Sequence, residues 1–174
     1  MKKLIISLCS LLLLTSCSMP ESTPVQGRLV DCEDIKTVTA DDEALECLAG
    51  GEPISVDSIK GPAIINIWGT WCAPCREELP HLAQFYSEYG DKVEVIGIAV
   101  EEKNQATVRK FVKSNGIKWP ILYDETGVTQ EKFGPGVPVT WFISKSGKVT
   151  YKKYGPFSST EELELAAAKY LGVK

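Results

Sequence analysis

The sequence has little histidine, no excess of basic over acidic residues and no long apolar run. It has one histidine, and 19 Lys+Arg against 23 Asp+Glu give a formal net charge of −4. This balance argues against a nucleic-acid surface, which needs clustered cations to displace counterions from phosphates. The longest apolar segment, residues 4–14, is too short for the roughly 20 residues that span a bilayer. With 44% hydrophobic residues among 174, the chain can instead bury the core of one globular domain.

The N-terminus is typical of an export signal. Lys2 and Lys3 precede the apolar segment, which fits the h-region of a signal peptide better than a permanent transmembrane helix. The segment ends in Leu-Thr-Ser-Cys at residues 14–17. This sequence resembles the lipobox of bacterial lipoproteins, in which cleavage before the cysteine leaves that residue as a lipidated N-terminus. We therefore predict that Cys17 carries lipid.

This signal determines the expected location and domain organisation. Lipidation would hold the protein on the extracytoplasmic face of a bacterial membrane. Because the residues after Cys17 include Pro20 and Pro24 and few apolar side chains, we expect a flexible tether there. An ordinary secretory signal whose cleavage site lies near a cysteine is the alternative, and it would also export the protein. The predicted divisions are a signal peptide over residues 1–16, a lipidated N-terminus and tether over 17–27, and a folded domain over 28–174.

Export changes the interpretation of the cysteines, because disulfides persist outside the cytoplasm. Cys72 and Cys75 form a self-contained Cys-Ala-Pro-Cys unit, which leaves Cys32 to pair with Cys47. The second pair would close a loop of about 15 residues, worth about 3 kcal/mol in the chain-entropy model. We interpret it as a structural disulfide. Free thiols, or a second redox couple that passes electrons to the first, are the alternatives.

Strands and helices are predicted to alternate along the rest of the chain. Short apolar runs indicate buried strands, and apolar residues at helical spacing indicate the helices between them. Two parallel βαβ passages followed by a hairpin and a closing helix predict a three-layer α/β/α sandwich with a central mixed sheet and an N-terminal β-hairpin. The predicted strands are 63–68, 93–100, 120–123, 139–144 and 149–154, after a hairpin within 43–59, and the predicted helices are 74–89, 104–115, 126–133 and 159–170.

The Cys-Ala-Pro-Cys motif lies where a predicted strand meets a helix. Cys72 would occupy the N-terminal edge of the helix, where free backbone N–H groups and the helix dipole stabilise a thiolate. Cys75 would follow one turn later and face inward. Cys72 could then open a substrate disulfide through a mixed disulfide that Cys75 resolves. A zinc site would need two further ligands, and a structural disulfide in so small a loop would add little stability.

The stretch INIWGTWCAPCREELP at residues 65–80 resembles the thioredoxin superfamily. It is most similar to the exported TlpA/ResA/CcmG-like branch of membrane-tethered thiol-disulfide oxidoreductases. Weaker similarity runs through residues 93–102 and 133–140, so the resemblance covers about residues 45–171. It implies that Pro138 is in cis and packs against the active-site cysteines. It also implies that Val137 offers its backbone to a substrate peptide.

Other residues near the motif are candidates for proton transfer and for partner binding. Asn66 stands where many thioredoxins place a buried aspartate, and it cannot titrate. Glu78 stands where ResA-like members have a glutamate, and we predict that it tunes the thiol pKa values and relays a proton. The alternative is a solvated glutamate that stabilises the first helical turn. Trp71 is predicted to line the partner-binding surface, and Glu101 and Glu102 are weaker candidates for proton transfer.

Together these features predict a lipid-anchored, extracytoplasmic protein-disulfide oxidoreductase that needs no cofactor and no metal. The resemblance implies that it keeps exported cysteines reduced, those of apocytochrome c among them. It also implies a transmembrane thiol carrier of the CcdA or DsbD kind as electron donor. A disulfide oxidant, an isomerase or a thiol peroxidase of the same fold is an alternative. A copper chaperone and a non-catalytic lipoprotein are alternatives from other classes, although His81 is poorly placed as a copper ligand.

Overall fold

A computed structural model describes residues 26–38, 44–134 and 136–173. The predicted signal peptide, the predicted lipidation site at Cys17 and all of the tether except its last two residues lie outside these ranges. Within the described ranges, no helix combines the length and the apolar character needed to cross a membrane.

The order of the elements follows the predicted alternation of strands and helices. A short 3₁₀ turn over Val56–Ser58 is the one addition among the described residues. The strands are β1 (Ala44–Cys47), β2 (Ile54–Ser55), β3 (Ala63–Trp68), β4 (Glu94–Val100), β5 (Ile121–Asp124), β6 (Val139–Ile143) and β7 (Val149–Tyr154). The helices are α1 (Ala73–Tyr89), α2 (Gln105–Ser114), α3 (Gln130–Phe133) and α4 (Thr160–Leu171).

The seven strands form one mixed sheet in the order β2-β1-β5-β4-β3-β6-β7. Strands β3, β4 and β5 are parallel, whereas β6 runs antiparallel to β3. The predicted N-terminal hairpin is present, and it continues the main sheet because β1 also pairs with β5. The predicted α/β fold with a mixed central sheet is confirmed.

Alternate residues of β3 face two hydrophobic cores on opposite sides of the sheet. Ile64 and Trp68 belong to the first core, which α1, α2 and α4 cover. Ile65 and Ile67 belong to the second core, which is covered by Phe133 of α3, the 3₁₀ turn and the N-terminal segment. The layer that covers this face of the sheet is therefore thinner than a layer of long helices would be.

Helix α3 begins four residues later than the sequence predicts, because a buried carboxylate captures the backbone in front of it. Asp124 accepts hydrogen bonds from the N–H groups of Gly127, Val128 and Thr129 at 2.9, 3.0 and 2.9 Å. A side chain that satisfies these donors offers the backbone an alternative to the helix. The expected first turn of the helix is consequently a tight turn, with φ of 75° at Gly127.

Cys32 and Cys47 form a disulfide that joins the N-terminal segment to β1. Both residues are buried in the second core, whereas Cys72 and Cys75 belong to the first. Because the sheet lies between the two cores, this separation favours a structural role for the Cys32–Cys47 disulfide over a relay of electrons between the pairs.

Removing the Cys32–Cys47 disulfide should lower stability and leave the chemistry at Cys72 intact. The two residues are 15 apart in sequence, and a loop of this length is worth about 3 kcal/mol. We expect the double variant Cys32→Ala/Cys47→Ala to lose about that much free energy of unfolding in urea denaturation. Its rate of disulfide reduction under folding conditions should match the wild type. Unchanged stability combined with lost reduction would show that the pair is redox-active instead.

Candidate active site

The first turn of α1 presents the two cysteines of the motif. Cys72 is the N-cap residue of α1, and its Sγ accepts a hydrogen bond from the backbone N–H of Cys75 at 3.2 Å. Pro74 lies in the first turn, where a missing N–H costs nothing. Cys72 and Cys75 are joined as a disulfide. After reduction, the free N–H groups and the positive end of the helix dipole would stabilise a thiolate on Cys72.

The Cys72–Cys75 disulfide lies in a recess between Trp71 and Val137. Cys72 and Cys75 are only 4% and 1% exposed, whereas the neighbouring Trp71 is 52% exposed. On the other side, the carbonyl oxygen of Val137 lies 3.6 Å from Cys72 Sγ. The pairing of β6 with β3 brings Val137 to this position. Pro138 is buried, and its peptide bond with Val137 is cis, as the family resemblance implied.

A small apolar depression of about 60 Å³ adjoins this recess. Trp71 and Val137, two of the predicted substrate contacts, both line it, and Pro138 does not. The indole N–H of Trp71 donates to the carbonyl oxygen of Val100 at 3.4 Å, so the exposed ring is held at the end of β4. The lining also includes the apolar side chains of Ile67, Val100 and Phe133.

Glu102 holds the loop that leads to Cys72. Its carboxylate is nearly buried and accepts hydrogen bonds from the backbone N–H and, at 2.8 Å, from the hydroxyl of Thr70. Arg76 donates to the carbonyl oxygen of Thr70 at 2.9 Å. Because both carboxylate oxygens of Glu102 face Thr70, this glutamate acts as a positioning residue. Glu101, the other weak candidate for proton transfer, is exposed.

Glu78 is fully buried, which overturns the alternative of a solvated first-turn glutamate. Its Oε1 accepts a hydrogen bond from Asn66 Nδ2 at 2.8 Å, and its Oε2 accepts one from the backbone N–H of Phe157 at 3.0 Å. The same Asn66 amide donates to Thr140 Oγ1 at 3.1 Å. One carboxylate therefore connects α1 to β3 and to the segment before α4, and Asn66 extends the connection to β6.

Burial raises the pKa of Glu78 from 4.5 to about 7, although the hydrogen bonds from Asn66 and Phe157 and the charge of Lys153 partly oppose this rise. A carboxyl group with such a pKa exchanges its proton near neutral pH, as general acid–base catalysis requires. In the disulfide state, the described residues show no hydrogen bond between Glu78 and either active-site cysteine. The proton relay therefore remains a prediction.

Two groups that shape this site were not predicted from the sequence. Phe157 contributes a backbone N–H from 79 positions beyond Glu78, and no side-chain pattern marks such a donor. Asp124 controls the turn before α3, which borders the apolar depression. An aspartate at the end of a predicted strand, followed by a glycine, was the signal available for that turn.

Comparisons with known proteins agree with this geometry. The chain matches the AhpC/TSA family over residues 35–152. It is 35% identical over 117 residues to thiol-disulfide oxidoreductase ResA of Bacillus thuringiensis (strain Al Hakam), and this match spans 66% of each chain. It is 31% identical to the ResA of Bacillus cereus (strain ZK / E33L), over 88% of this chain and 90% of that relative. The crystal structure of StoA from Bacillus subtilis superposes with a TM-score of 0.60 and 28% identity, covering 71% of this chain and 93% of that one.

Glu78 should make the folded protein less stable as the pH rises from about 4.5 to about 7. In this window the unfolded chain has lost the proton of Glu78 while the folded chain still binds it, so a higher pH favours unfolding. The rise in pKa from 4.5 to about 7 corresponds to about 3 kcal/mol. We expect urea denaturation of the oxidised protein to show this loss, and we expect Glu78→Gln to abolish it.

The matched control for this prediction is Glu77→Gln, which changes an exposed glutamate in the same turn and should retain the wild-type pH dependence. Glutamine can accept only one of the two hydrogen bonds that Glu78 accepts. The change in the free energy of unfolding with pH is therefore the diagnostic quantity, and the absolute stability of Glu78→Gln is not. An identical slope in Glu78→Gln and the wild type would refute the assignment.

Proposed function

This chain belongs to the AhpC/TSA family and is a thiol-disulfide oxidoreductase similar to ResA, and from that premise we propose that it reduces disulfides of exported proteins. The observation that carries the proposal is the Cys72–Cys75 pair at the N-terminus of α1, with the buried Glu78 one turn beyond it. The disulfide seen here is the state that such a reductase reaches after it has given two electrons to a client.

The reaction proceeds by two exchanges at sulfur. The Cys72 thiolate attacks one sulfur of the client disulfide, so a mixed disulfide forms and the other client sulfur leaves as a thiolate. Cys75, once deprotonated, attacks Cys72 Sγ and releases the second client thiolate. Two electrons have then passed to the client, and the Cys72–Cys75 disulfide has formed. Glu78 accepts the proton of the Cys75 thiol and returns it to solvent or to the departing client thiolate.

The surroundings of Cys72 suit an extended client segment. Trp71 and Val137 flank the recess, and the carbonyl oxygen of Val137 stands beside the sulfur that reacts first. A client backbone that pairs with Val137 would bring its own disulfide to Cys72, and an apolar client side chain would enter the adjoining depression. The haem-attachment cysteines of apocytochrome c are the client that the family resemblance implies.

The same proposal includes the location and the source of electrons. Residues 1–16 would direct export, and lipidated Cys17 would hold the domain at the extracytoplasmic face of the membrane. A transmembrane thiol carrier of the CcdA or DsbD kind would reduce the Cys72–Cys75 disulfide after each turnover. The lipobox-like sequence supports the location, and the family resemblance implies the carrier.

Replacing the resolving cysteine should trap a client on Cys72. A serine hydroxyl at position 75 cannot displace the client sulfur, so the mixed disulfide persists. We expect Cys75→Ser, mixed with an oxidised peptide containing Cys-X-X-Cys-His, to gain the mass of one peptide in intact-protein mass spectrometry. Dithiothreitol should reverse the gain.

The matched control is Cys72→Ser, which keeps only Cys75, the less exposed of the two residues. We expect this variant to form little adduct with the same peptide. Equal adducts on the two variants, or an adduct on Cys72→Ser alone, would show that the roles of nucleophile and resolving residue are assigned wrongly.

A further inference from the structure

The chain that follows β4 is strongly basic, although the protein as a whole is acidic. Residues 103–118, which contain α2, carry five Lys or Arg and no Asp or Glu, whereas the whole chain has a net charge of −4. Four of the five are exposed, and Arg109 is half-buried. The five cations are Lys103, Arg109, Lys110, Lys113 and Lys118.

Three of these cations meet a fourth cation from another segment on one surface. Arg28, Arg109, Lys110 and Lys113 line a single open groove along α2, which we call the basic face. The apolar side of α2, with Val108 and Val112 in the first core, points away from it.

No carboxylate neutralises the basic face within the described ranges. The ion pairs of Lys132 with Asp57 and of Lys153 with Glu162 lie in other parts of the structure. Arg109 donates to the uncharged amide of Gln105 at 2.9 Å. Glu46 accepts a hydrogen bond from Gln105, and it pairs with none of the four cations. The positive charge of this face is therefore available to an external anionic partner.

The N-terminal segment joins the domain at this face. The N–H of Gly27 donates to the carbonyl oxygen of Lys113 and the N–H of Arg28 to that of Ile117, both at 2.9 Å. A Cβ atom on Gly27 would lie 2.0 Å from the carbonyl oxygen of Val112, so the segment packs closely against the end of α2. About ten residues separate this point from Cys17, and a chain of that length reaches at most about 35 Å.

We propose that the basic face binds the anionic phospholipid headgroups of the membrane that carries the anchor. The proposal rests on the proposed lipidation of Cys17, because the anchor keeps this face within reach of the bilayer. A lipid chain and a cluster of cations are two signals that act together on anionic membranes.

Contact along α2 would also set the orientation of the active site. Helix α2 begins just after Val100, whose carbonyl oxygen accepts the Trp71 hydrogen bond.

Acetylation of lysines in proteoliposomes tests the proposal. The processed, lipidated chain is placed in vesicles of phosphatidylcholine with or without about 30% phosphatidylglycerol and exposed to a membrane-impermeant amine reagent. We expect Lys110 and Lys113 to react at least about threefold more slowly on the anionic vesicles. Lys145 and Lys148, in the turn between β6 and β7, should react equally on both. Salt at about 0.5 M should remove the difference, because it screens surface charge.

A pair of charge-reversal variants provides the control. Arg28→Glu/Lys113→Glu, at two exposed positions of the basic face, should remove the slower reaction of Lys110 on anionic vesicles, and Lys145→Glu/Lys148→Glu should preserve it. Equal labelling on both kinds of vesicle would overturn the proposal. Protection by soluble polyglutamate without protection by anionic vesicles would also overturn it, in favour of an acidic protein partner. Sedimentation of the protein with neutral vesicles tests the lipid anchor on its own. Reduction of a soluble disulfide peptide tests the proposed function on its own.

Discussion

The buried carboxylate of Glu78 is the constraint on which the site depends. Burying an ionisable group is costly unless donors satisfy it. Here Asn66 and the backbone N–H of Phe157 bind its two oxygens. These bonds connect the cysteine-bearing helix to the central sheet and to the segment before α4. Burial also raises the pKa of Glu78 to about 7. The cysteine-bearing helix is thus held by a carboxyl group, one turn beyond Cys75, that titrates near neutral pH.

The sheet assembles the rest of the site from the ends of its strands. Strand β3 leads into the loop before Cys72, and Glu102 after β4 holds that loop through Thr70. Antiparallel pairing of β6 with β3 brings the carbonyl oxygen of Val137 next to the Cys72 sulfur. Three neighbouring strands therefore position the groups that surround the Cys72 sulfur. Thiol exchange depends on such approach as well as on thiolate stability.

Local features were predictable from the sequence, and contacts between distant segments were not. The apolar run of residues 63–68 gave the bounds of β3, and the spacing of Cys72 and Cys75 indicated the disulfide chemistry. The partner of Glu78 is a backbone N–H of Phe157, which no residue type reveals. The late start of α3 depends on a competition between Asp124 and the helix for the same N–H groups. Hydrophobic periodicity does not register that competition.

The reduction potential of the Cys72–Cys75 couple tests most directly the central claim that this protein is a reductase. The protein would be equilibrated in dithiothreitol redox buffers, and the free thiols would be trapped and assigned to each cysteine pair by mass spectrometry. The account predicts a value at or below about −230 mV, towards the thioredoxin end of the scale. A value near about −120 mV, as in strong periplasmic oxidants, would contradict it and make the protein a donor of disulfides.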